Sequence, residues 1–206
     1  MTDRSILITG CSSGIGEAAA RMMKERGWRV FATARKAADL EMLRSAGLEA
    51  IYLDYTEPES IAACADQVLK QTDSRIFALF NNGAYGQPGA VEDLRTDVLR
   101  TQFEANFFGW HDLTRRLIPA MRAQGAGRIV QCSSCLGLVS LKYRGAYNAS
   151  KFAIEGLSDA LRQELAGSGI HVSLIEPGPI GTRFVQNALA NYRRNIDLVN
   201  SAHADV

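Results

Sequence analysis

Tyr147 and Lys151 are the two side chains whose types and spacing point most directly to chemistry. Four positions separate them within a segment of helical pattern, so they lie one turn apart on the same helix face. A phenol has a reference pKa of about 10, and a neighbouring ammonium stabilises the phenolate and lowers that value. The pair therefore predicts a tyrosine that works as a general acid or base near neutral pH.

A glycine-rich turn near the start of the sequence could hold a phosphate. The segment TGCSSGIG at 9–16 follows a short apolar run and precedes a helical pattern. Glycine lets the backbone turn sharply and approach a ligand with no Cβ in the way, and the N–H groups and dipole at a helix start favour a pyrophosphate. The turn predicts a dinucleotide site that involves Gly10, Ser12, Ser13, Gly14, Ile15 and Gly16.

Apolar runs alternate with helical patterns and predict the elements that position these groups. The runs predict strands at 4–9, 28–34, 50–53, 76–80, 128–132 and 170–175. The helical patterns lie at 15–26, 37–46, 58–69, 97–123 and 146–166. Pro119 is expected to kink or interrupt its helix. The alternation predicts an α/β fold, with one doubly wound Rossmann parallel sheet of six or seven strands and helices on both faces.

Length, charge and composition exclude several classes of protein. The 206 residues include 23 basic and 22 acidic side chains, so we expect one domain over 1–206 and no nucleic-acid partner. No apolar run is long enough for a signal peptide or a membrane span. The three histidines lack metal-ligand spacing, and the four cysteines lack the pattern of a secreted disulfide framework. We therefore expect a cytoplasmic protein without a bound metal.

Four motifs, in this order, resemble those of the short-chain dehydrogenase/reductase family. They are TGCSSGIG at 9–16, NNGA at 81–84, YNASK at 147–151 and EPGPIGT at 176–182, and the resemblance extends over residues 4–184. The sequence around them looks most like the hydroxysteroid and retinol dehydrogenase branch and its bacterial relatives. The resemblance implies an enzyme that transfers a hydride between a nicotinamide cofactor and a carbonyl or secondary alcohol.

The resemblance also implies roles for individual residues. Tyr147 would be the acid/base, Lys151 would tune it and grip the ribose, and Ser134, 13 residues before Tyr147, would orient the substrate oxygen. Ser133 is the neighbouring candidate, although the spacing favours Ser134. Asn106 would hold a water that relays protons to the lysine. Further cofactor contacts would come from Asp54 at the adenine and from Asn81, Gly83, Pro177, Gly178, Ile180 and Thr182.

The end of the second predicted strand bears on the choice of cofactor. An acid near this point binds the ribose 2′-hydroxyl of NAD, but Ala34 stands at the family's acidic position and Arg35 follows it. A guanidinium can pair with a 2′-phosphate through two hydrogen bonds, whereas a carboxylate would repel it. The sequence therefore predicts NADP(H), with a hydroxyl contact from Ser12 and with reduction as the main direction in cells.

Two features depart from the family pattern. The family has NNAG where this sequence has NNGA, so we expect strain at Ala84, conformational freedom at Gly86 and weaker cofactor binding. Family members also continue with a substrate-covering segment, a seventh strand and a closing helix, of which 183–206 would be an incomplete start. A catalytically weak or inactive dinucleotide-binding module is therefore the alternative to a working reductase.

The resemblance also bears on substrate and subunit contacts. The pocket would be lined by 85–94 and 135–144, where the side chains that indicate a small apolar carbonyl or alcohol substrate are Tyr85, Leu136, Leu141 and Tyr143. The helices near 97–123 and 146–166 would pair with their copies in a homodimer or homotetramer. Apolar positions that fit such an interface are Phe152, Leu157 and Leu161.

Overall fold

A six-stranded parallel sheet forms the centre of the computed structural model, which describes residues 4–204. The ends of the expected domain, 1–3 and 205–206, lie outside the described residues. The strands are β1 (Ser5–Ile8), β2 (Arg29–Ala34), β3 (Glu49–Tyr52), β4 (Ala78–Asn81), β5 (Gly127–Cys132) and β6 (Ile170–Ile175). Their order across the sheet is β3-β2-β1-β4-β5-β6, which confirms the doubly wound fold.

Helices connect the strands on both sides of this sheet. They are α1 (Gly14–Glu25), α2 (Ala37–Ser45), α3 (Pro58–Gln71), α4 (Thr96–Phe103), α5 (Gly109–Ala123), α6 (Gly145–Glu164) and α7 (Phe184–Asn195). None of those in the described residues 4–204 is long and apolar enough to cross a bilayer.

Of the two outcomes expected at Pro119, a kink or an interruption, the interruption is wrong. Helix α5 continues through Pro119 to Ala123, and the interruption lies earlier, at the π-helical segment Glu104–Phe108 between α4 and α5. Pro119 is exposed and so is Arg115, whose carbonyl would have accepted the missing N–H. Because water can solvate that carbonyl, the helix tolerates the proline.

The central strands have apolar sequences because helices cover both faces of the sheet. Every residue of β1 and β4, at the middle of the sheet, is buried. Strand β6 pairs with β5 alone among the described strands, and its side chains alternate between buried and exposed over its first four positions. The sheet therefore has its most protected strands where its order reverses.

That reversal positions the site. Ile8 at the end of β1 lies in register with Ala32 of β2 and Phe80 of β4. The loops that follow β1, β4, β5 and β6 therefore meet at the carboxyl edge of the sheet, beside the crevice between β1 and β4. This is the place where open α/β sheets bind ligands.

The reversed NNGA order does not strain the backbone. Ala84 is not among the described non-glycine residues with positive φ, and neither Gly83 nor Gly86 needs a positive φ. The expected strain at Ala84 and the expected relief at Gly86 are therefore wrong. A left-handed residue other than glycine occurs instead at Tyr143, at φ 61° in the loop before α6.

Candidate active site

The turn after β1 requires glycine at two positions. Gly10 has φ +68°, and a Cβ there would overlap the backbone of Gly83, whose nitrogen would lie 2.9 Å away. Gly14 has φ +64°, and a Cβ there would lie 3.1 Å from the Thr182 methyl group. The motifs at 9–16, 81–84 and 176–182 thus converge on one short stretch of backbone.

The start of α1 provides donors for an anion. Ser13 is the N-cap residue, yet its side chain does not cap the helix, so the first N–H groups of α1 lack a capping side chain. The Arg183 Nη2 group donates to the Ser12 carbonyl at 2.8 Å and brings a positive charge beside the turn. Uncapped N–H groups and a guanidinium can donate hydrogen bonds to a pyrophosphate, and the helix dipole favours its negative charge.

Thr9 and Tyr55 hold the two turns together, and neither was predicted as a site residue. The Thr9 hydroxyl accepts the N–H groups of Asn82 and Gly83 at 2.9 and 3.0 Å. The Tyr55 hydroxyl lies 2.9 Å from Thr9 Oγ1, and burial holds its pKa well above the ordinary value. Thr9 could have been found because it belongs to the glycine motif, whereas the sequence carries no comparable signal for Tyr55.

Asn81 supports the site from within the protein. Its Oδ1 accepts the Tyr55 hydroxyl at 2.6 Å, and its Nδ2 donates to Thr114 and Gln131 at 2.9 Å each. The residue is fully buried. Since these bonds use both N–H donors of the carboxamide, a cofactor contact at this position falls to the backbone of Asn81 and Gly83.

Arg35 and Asp54, which the sequence assigns to the two ends of the adenosine moiety, lie beside each other. Arg35 Nη1 is 3.4 Å from Asp54 Oδ2, and the Arg35 side chain is 68% exposed. Burial of Asp54 acts to raise its pKa, but hydrogen bonds from Thr56 and the charge of Arg35 outweigh it, so the pKa lies below its ordinary value. The guanidinium therefore stands at the surface at the end of β2, with most of its area open to a ligand.

Tyr147 lies buried in the first turns of α6, near Ser134. Burial raises the pKa of Tyr147 to about 12, the nearby Ser134 hydroxyl partly offsets this, and the neighbouring Cys132 and Cys135 raise it further. In the protein alone the pKa of Tyr147 is therefore raised and not lowered, because desolvation of the phenolate is the largest effect. Tyr147 therefore carries its proton at neutral pH. That Lys151 stabilises the phenolate stays a prediction.

Lys151 is fully buried one turn along α6, as its spacing from Tyr147 predicts. Its Nζ donates to the Cys132 carbonyl at the end of β5 at 2.6 Å and lies 5.6 Å from the Tyr147 ring centroid. Burial lowers the pKa of Lys151 to about 8, against the charges of Cys132 and Glu155, which raise it. The ammonium is thus still the main form at pH 7.

Ser134 and Asn106 complete the predicted set from two other elements. The Ser134 Oγ accepts the Leu136 N–H at 3.1 Å and donates to Cys135 Sγ at 4.0 Å, a long bond that a substrate oxygen could replace. Asn106 lies in the π-helical segment, fully buried, and its carboxamide bonds both the N–H and the carbonyl of Tyr85 at 3.1 and 2.8 Å. The neighbouring Ser133 Oγ is buried and has no hydrogen-bond partner among the described residues, and the choice of Ser134 over Ser133 stays a prediction from the spacing.

The loop after β6 and the start of α7 cover the site from the other side. The Pro177 carbonyl accepts the Cys135 N–H at 3.2 Å, whereas Ile180 is exposed. The Phe184 ring stands edge-on to the Tyr147 ring, with centroids 5.4 Å apart. Phe184 was not predicted, because nothing in the sequence indicates that this ring reaches the tyrosine. The predicted pocket residues differ in burial: Leu141 is exposed, and Tyr85 and Leu136 are half-buried.

The arrangement brings a protonated phenol, a hydroxyl donor and a buried ammonium to one end of a cleft. The other end holds the glycine turn and the uncapped start of α1. Within residues 4–204 no group of three or more His, Cys, Asp or Glu side chains could hold a metal ion. The chemistry that these residues support is proton transfer to a carbonyl oxygen or from an alcohol.

Comparison with known proteins agrees with this geometry. Residues 4–193 match the family described as short chain dehydrogenase. The uncharacterized oxidoreductase YbbO of Escherichia coli (strain K12) is 50% identical over 184 residues, which are 89% of this chain and 68% of that protein. Human retinol dehydrogenase 16 is 37% identical over an alignment of 216 positions, which covers all of this chain and 68% of that enzyme.

Two solved structures share the fold closely. A point variant of the actinorhodin polyketide ketoreductase with NADPH has a TM-score of 0.83 and 30% identity, and the match covers 98% of this chain and 79% of that one. A short-chain dehydrogenase/reductase from Burkholderia phymatum in complex with NAD has a TM-score of 0.83 and 28% identity, covering 96% and 74%. The sheet order, the site geometry and these matches agree, and this chain belongs to the short-chain dehydrogenase/reductase family.

Proposed function

We propose that this protein is an NADP(H)-dependent oxidoreductase that transfers a hydride between nicotinamide C4 and a carbonyl or secondary alcohol of a small apolar substrate. The observation that carries the proposal is the meeting of Tyr147, Ser134 and Lys151 beside the glycine turn. Tyr147 and Lys151 lie on α6, and Ser134 lies in the loop after β5. All three face one cleft.

The residues fit a dinucleotide on two observations. Gly10 and Gly14 have positive φ and no Cβ, which lets the turn after β1 pack against Gly83 and Thr182, and the first N–H groups of α1 have no capping side chain that would compete with a pyrophosphate. Ser12, Ser13, Ile15 and Gly16 belong to the same turn, and Pro177, Gly178, Ile180 and Thr182 would border the nicotinamide. When bound, the nicotinamide supplies or accepts the hydride.

The protein's own residues move the proton. In the reductive direction, the Tyr147 hydroxyl protonates the carbonyl oxygen of the substrate, and the Ser134 hydroxyl donates a hydrogen bond to the same oxygen. Lys151 would hold a ribose hydroxyl of the cofactor and would stabilise the phenolate that forms. Asn106 would hold the relay water from the π-helical segment, at a point where its carboxamide also bonds the backbone of Tyr85.

Arg35 supports NADP(H) over NAD(H). Its guanidinium is mostly exposed, and no acid occupies position 34 at the end of β2. Asp54 would leave Arg35 for the adenine amino group when a 2′-phosphate takes its place. Arg35→Ala should weaken NADPH binding by about 10- to 100-fold and leave NADH binding nearly unchanged, since a hydrogen bond to a charged group contributes about 1.5–3 kcal/mol.

The first experiment is a titration with NADPH and NADH followed by nicotinamide fluorescence, and then a panel of aldehydes and ketones. We expect turnover with NADPH and a loss of at least about 100-fold in kcat in Tyr147→Phe with unchanged NADPH affinity. Tyr52→Phe is the matched control, since Tyr52 is an exposed phenol on β3 bonded to Glu57. NADPH binding without turnover of any compound would favour the alternative, an inactive dinucleotide-binding module.

We also propose that α5 and α6 form a contact between copies of the chain. A shallow depression of about 130 Å³ lies between the two helices. Its lining includes Trp110, Ile118, Ile154, Leu157 and Leu161. Nearby apolar side chains are exposed, namely Phe108, Phe152 and Leu157. A second pair of helices packed on this face would cover them.

A further inference from the structure

We propose that Trp110 is a positioning residue for Lys151. The face of the indole contacts the Lys151 ammonium, and the indole N–H donates a hydrogen bond to Gly83, in the turn that would contact the cofactor. The inference deepens the proposed function, because it assumes that Lys151 serves the reaction there. It concerns a residue of α5 to which neither the motifs nor the spacing assign a role.

The ammonium and the ring are in contact away from water. Lys151 Nζ lies 4.4 Å from the Trp110 ring centroid, within the range of a cation–π interaction. The exposed fractions of the two residues are 1% and 2%. A cation–π contact is strongest when both groups are desolvated, and tryptophan is the best of the aromatic partners.

The indole is itself fixed in place. Trp110 Nε1 donates to the Gly83 carbonyl at 2.9 Å, and the Trp110 and Tyr55 ring centroids are 6.3 Å apart. A Cβ on the preceding residue, Gly109, would lie only 2.6 Å from the Tyr55 carbonyl oxygen, so the helix and the tyrosine are in close contact here. The ring therefore cannot turn away from the lysine without breaking its own hydrogen bond.

Lys151 requires such a partner. Its ammonium has three donors on a flexible stem, and the Cys132 carbonyl accepts one of them at 2.6 Å. One hydrogen bond restrains the distance between the ammonium and the Cys132 carbonyl but leaves the direction of the ammonium free. With the indole against a second side, the ammonium is confined to the space between Cys132, Trp110 and Tyr147, next to the turn that would receive the ribose.

The charge state of the lysine should depend on the indole. The titratable groups around Lys151 are Cys132 from β5, Tyr147 and Glu155 from α6, and Tyr55 from the segment after β3; His111, next to Trp110, is exposed. Burial already lowers the pKa of Lys151 to about 8. Because the ring face favours the charged form, its removal should lower that pKa further, by about one unit.

The contact can be tested without any turnover. Trp28→Phe leaves Trp110 as the sole indole, since the chain has two tryptophans. We expect the fluorescence of this variant to change with a midpoint near pH 8, the pKa of Lys151, and the change to vanish in Trp28→Phe/Lys151→Met. A flat titration, or one that persists without the lysine, would overturn the inference whether or not the protein proves to be a reductase.

A second experiment tests the consequence for catalysis. Trp110→Phe keeps a ring face but loses the N–H donor, and Trp110→Leu loses both. At pH 6.5 we expect NADPH-dependent kcat for Trp110→Leu to fall only about threefold, and at pH 8.5 at least about tenfold, with Trp110→Phe between it and wild type. Trp28→Phe, which replaces a tryptophan packed on Phe77, is the control and should follow wild type. An equal loss at both pH values would mark a merely structural role.

Discussion

At the scale of single residues, burial in the cleft shifts the pKa values of Tyr147 and Lys151 in opposite directions. Burial raises the pKa of Tyr147 to about 12 and lowers that of Lys151 to about 8. Both shifts have the same origin, because a poorly solvated site disfavours the charged form of each group. The phenol is therefore set to donate a proton, and the lysine is the group that changes its charge within the working range of pH.

This difference predicts the pH dependence of carbonyl reduction. Lys151 is an ammonium below its pKa and neutral above it, so kcat/KM with NADPH should be level from pH 6 to 7 and fall through about pH 8. Lys151→Arg keeps its charge at every pH tested and should remove the fall while lowering the maximum rate. A rate that climbs as pH passes 8 would mean that deprotonation of another group controls the reaction.

At the scale of secondary-structure elements, the π-helical segment Glu104–Phe108 shapes the site between α4 and α5. It places Asn106 inside the protein, where the carboxamide makes the hydrogen bonds that water would otherwise make to the Tyr85 backbone. The segment thereby ties the long connection after β4 to the helix layer. Irregular turns of this kind often occur at functional sites in helices.

Removal of that carboxamide should destabilise the fold. Asn106→Ala leaves the Tyr85 N–H without its acceptor, whereas the Tyr85 carbonyl keeps the Gln102 Nε2 donor at 2.9 Å. The expected cost is about 1–2 kcal/mol. For a chain of this length the expected decrease in Tm is about 3–6 °C. Asn187→Ala, at an exposed position of α7, is the matched control and should leave Tm within about 1 °C. Equal Tm values for the two variants would contradict the structural role of Asn106.

Sequence reasoning predicts the elements well where burial is one-sided or complete. The apolar runs of β1 and β4 follow directly from the sheet's two covered faces. The interruption predicted at Pro119 was wrong because the effect of a proline depends on whether the carbonyl one turn earlier, that of Arg115, is solvated. The sequence does not reveal this. Likewise Tyr55 and Trp110 are ordinary core aromatics until the fold brings them to Thr9 and Lys151.

At the scale of the whole molecule, the α5–α6 face exposes the apolar side chains of Phe108, Phe152 and Leu157. Phe152→Glu places a charge in the proposed contact between copies and should reduce the mass measured by light scattering to that of one chain. Leu189→Glu on α7 is the control, since its residue is equally exposed, at 44%. A wild-type chain that is already monomeric at micromolar concentration would disprove the interface.

The bond between Arg183 and the Ser12 carbonyl has a consequence for biosynthesis. It joins residues 171 positions apart, and β1 acquires its neighbour β4 only when residues near 80 have been made. A nascent chain can thus form its first sheet contacts early, while the cleft stays open until translation has passed Arg183. Nucleotides in the cell would meet a finished binding site only late in synthesis, so ligand binding could stabilise the completed chain but could not guide its early folding.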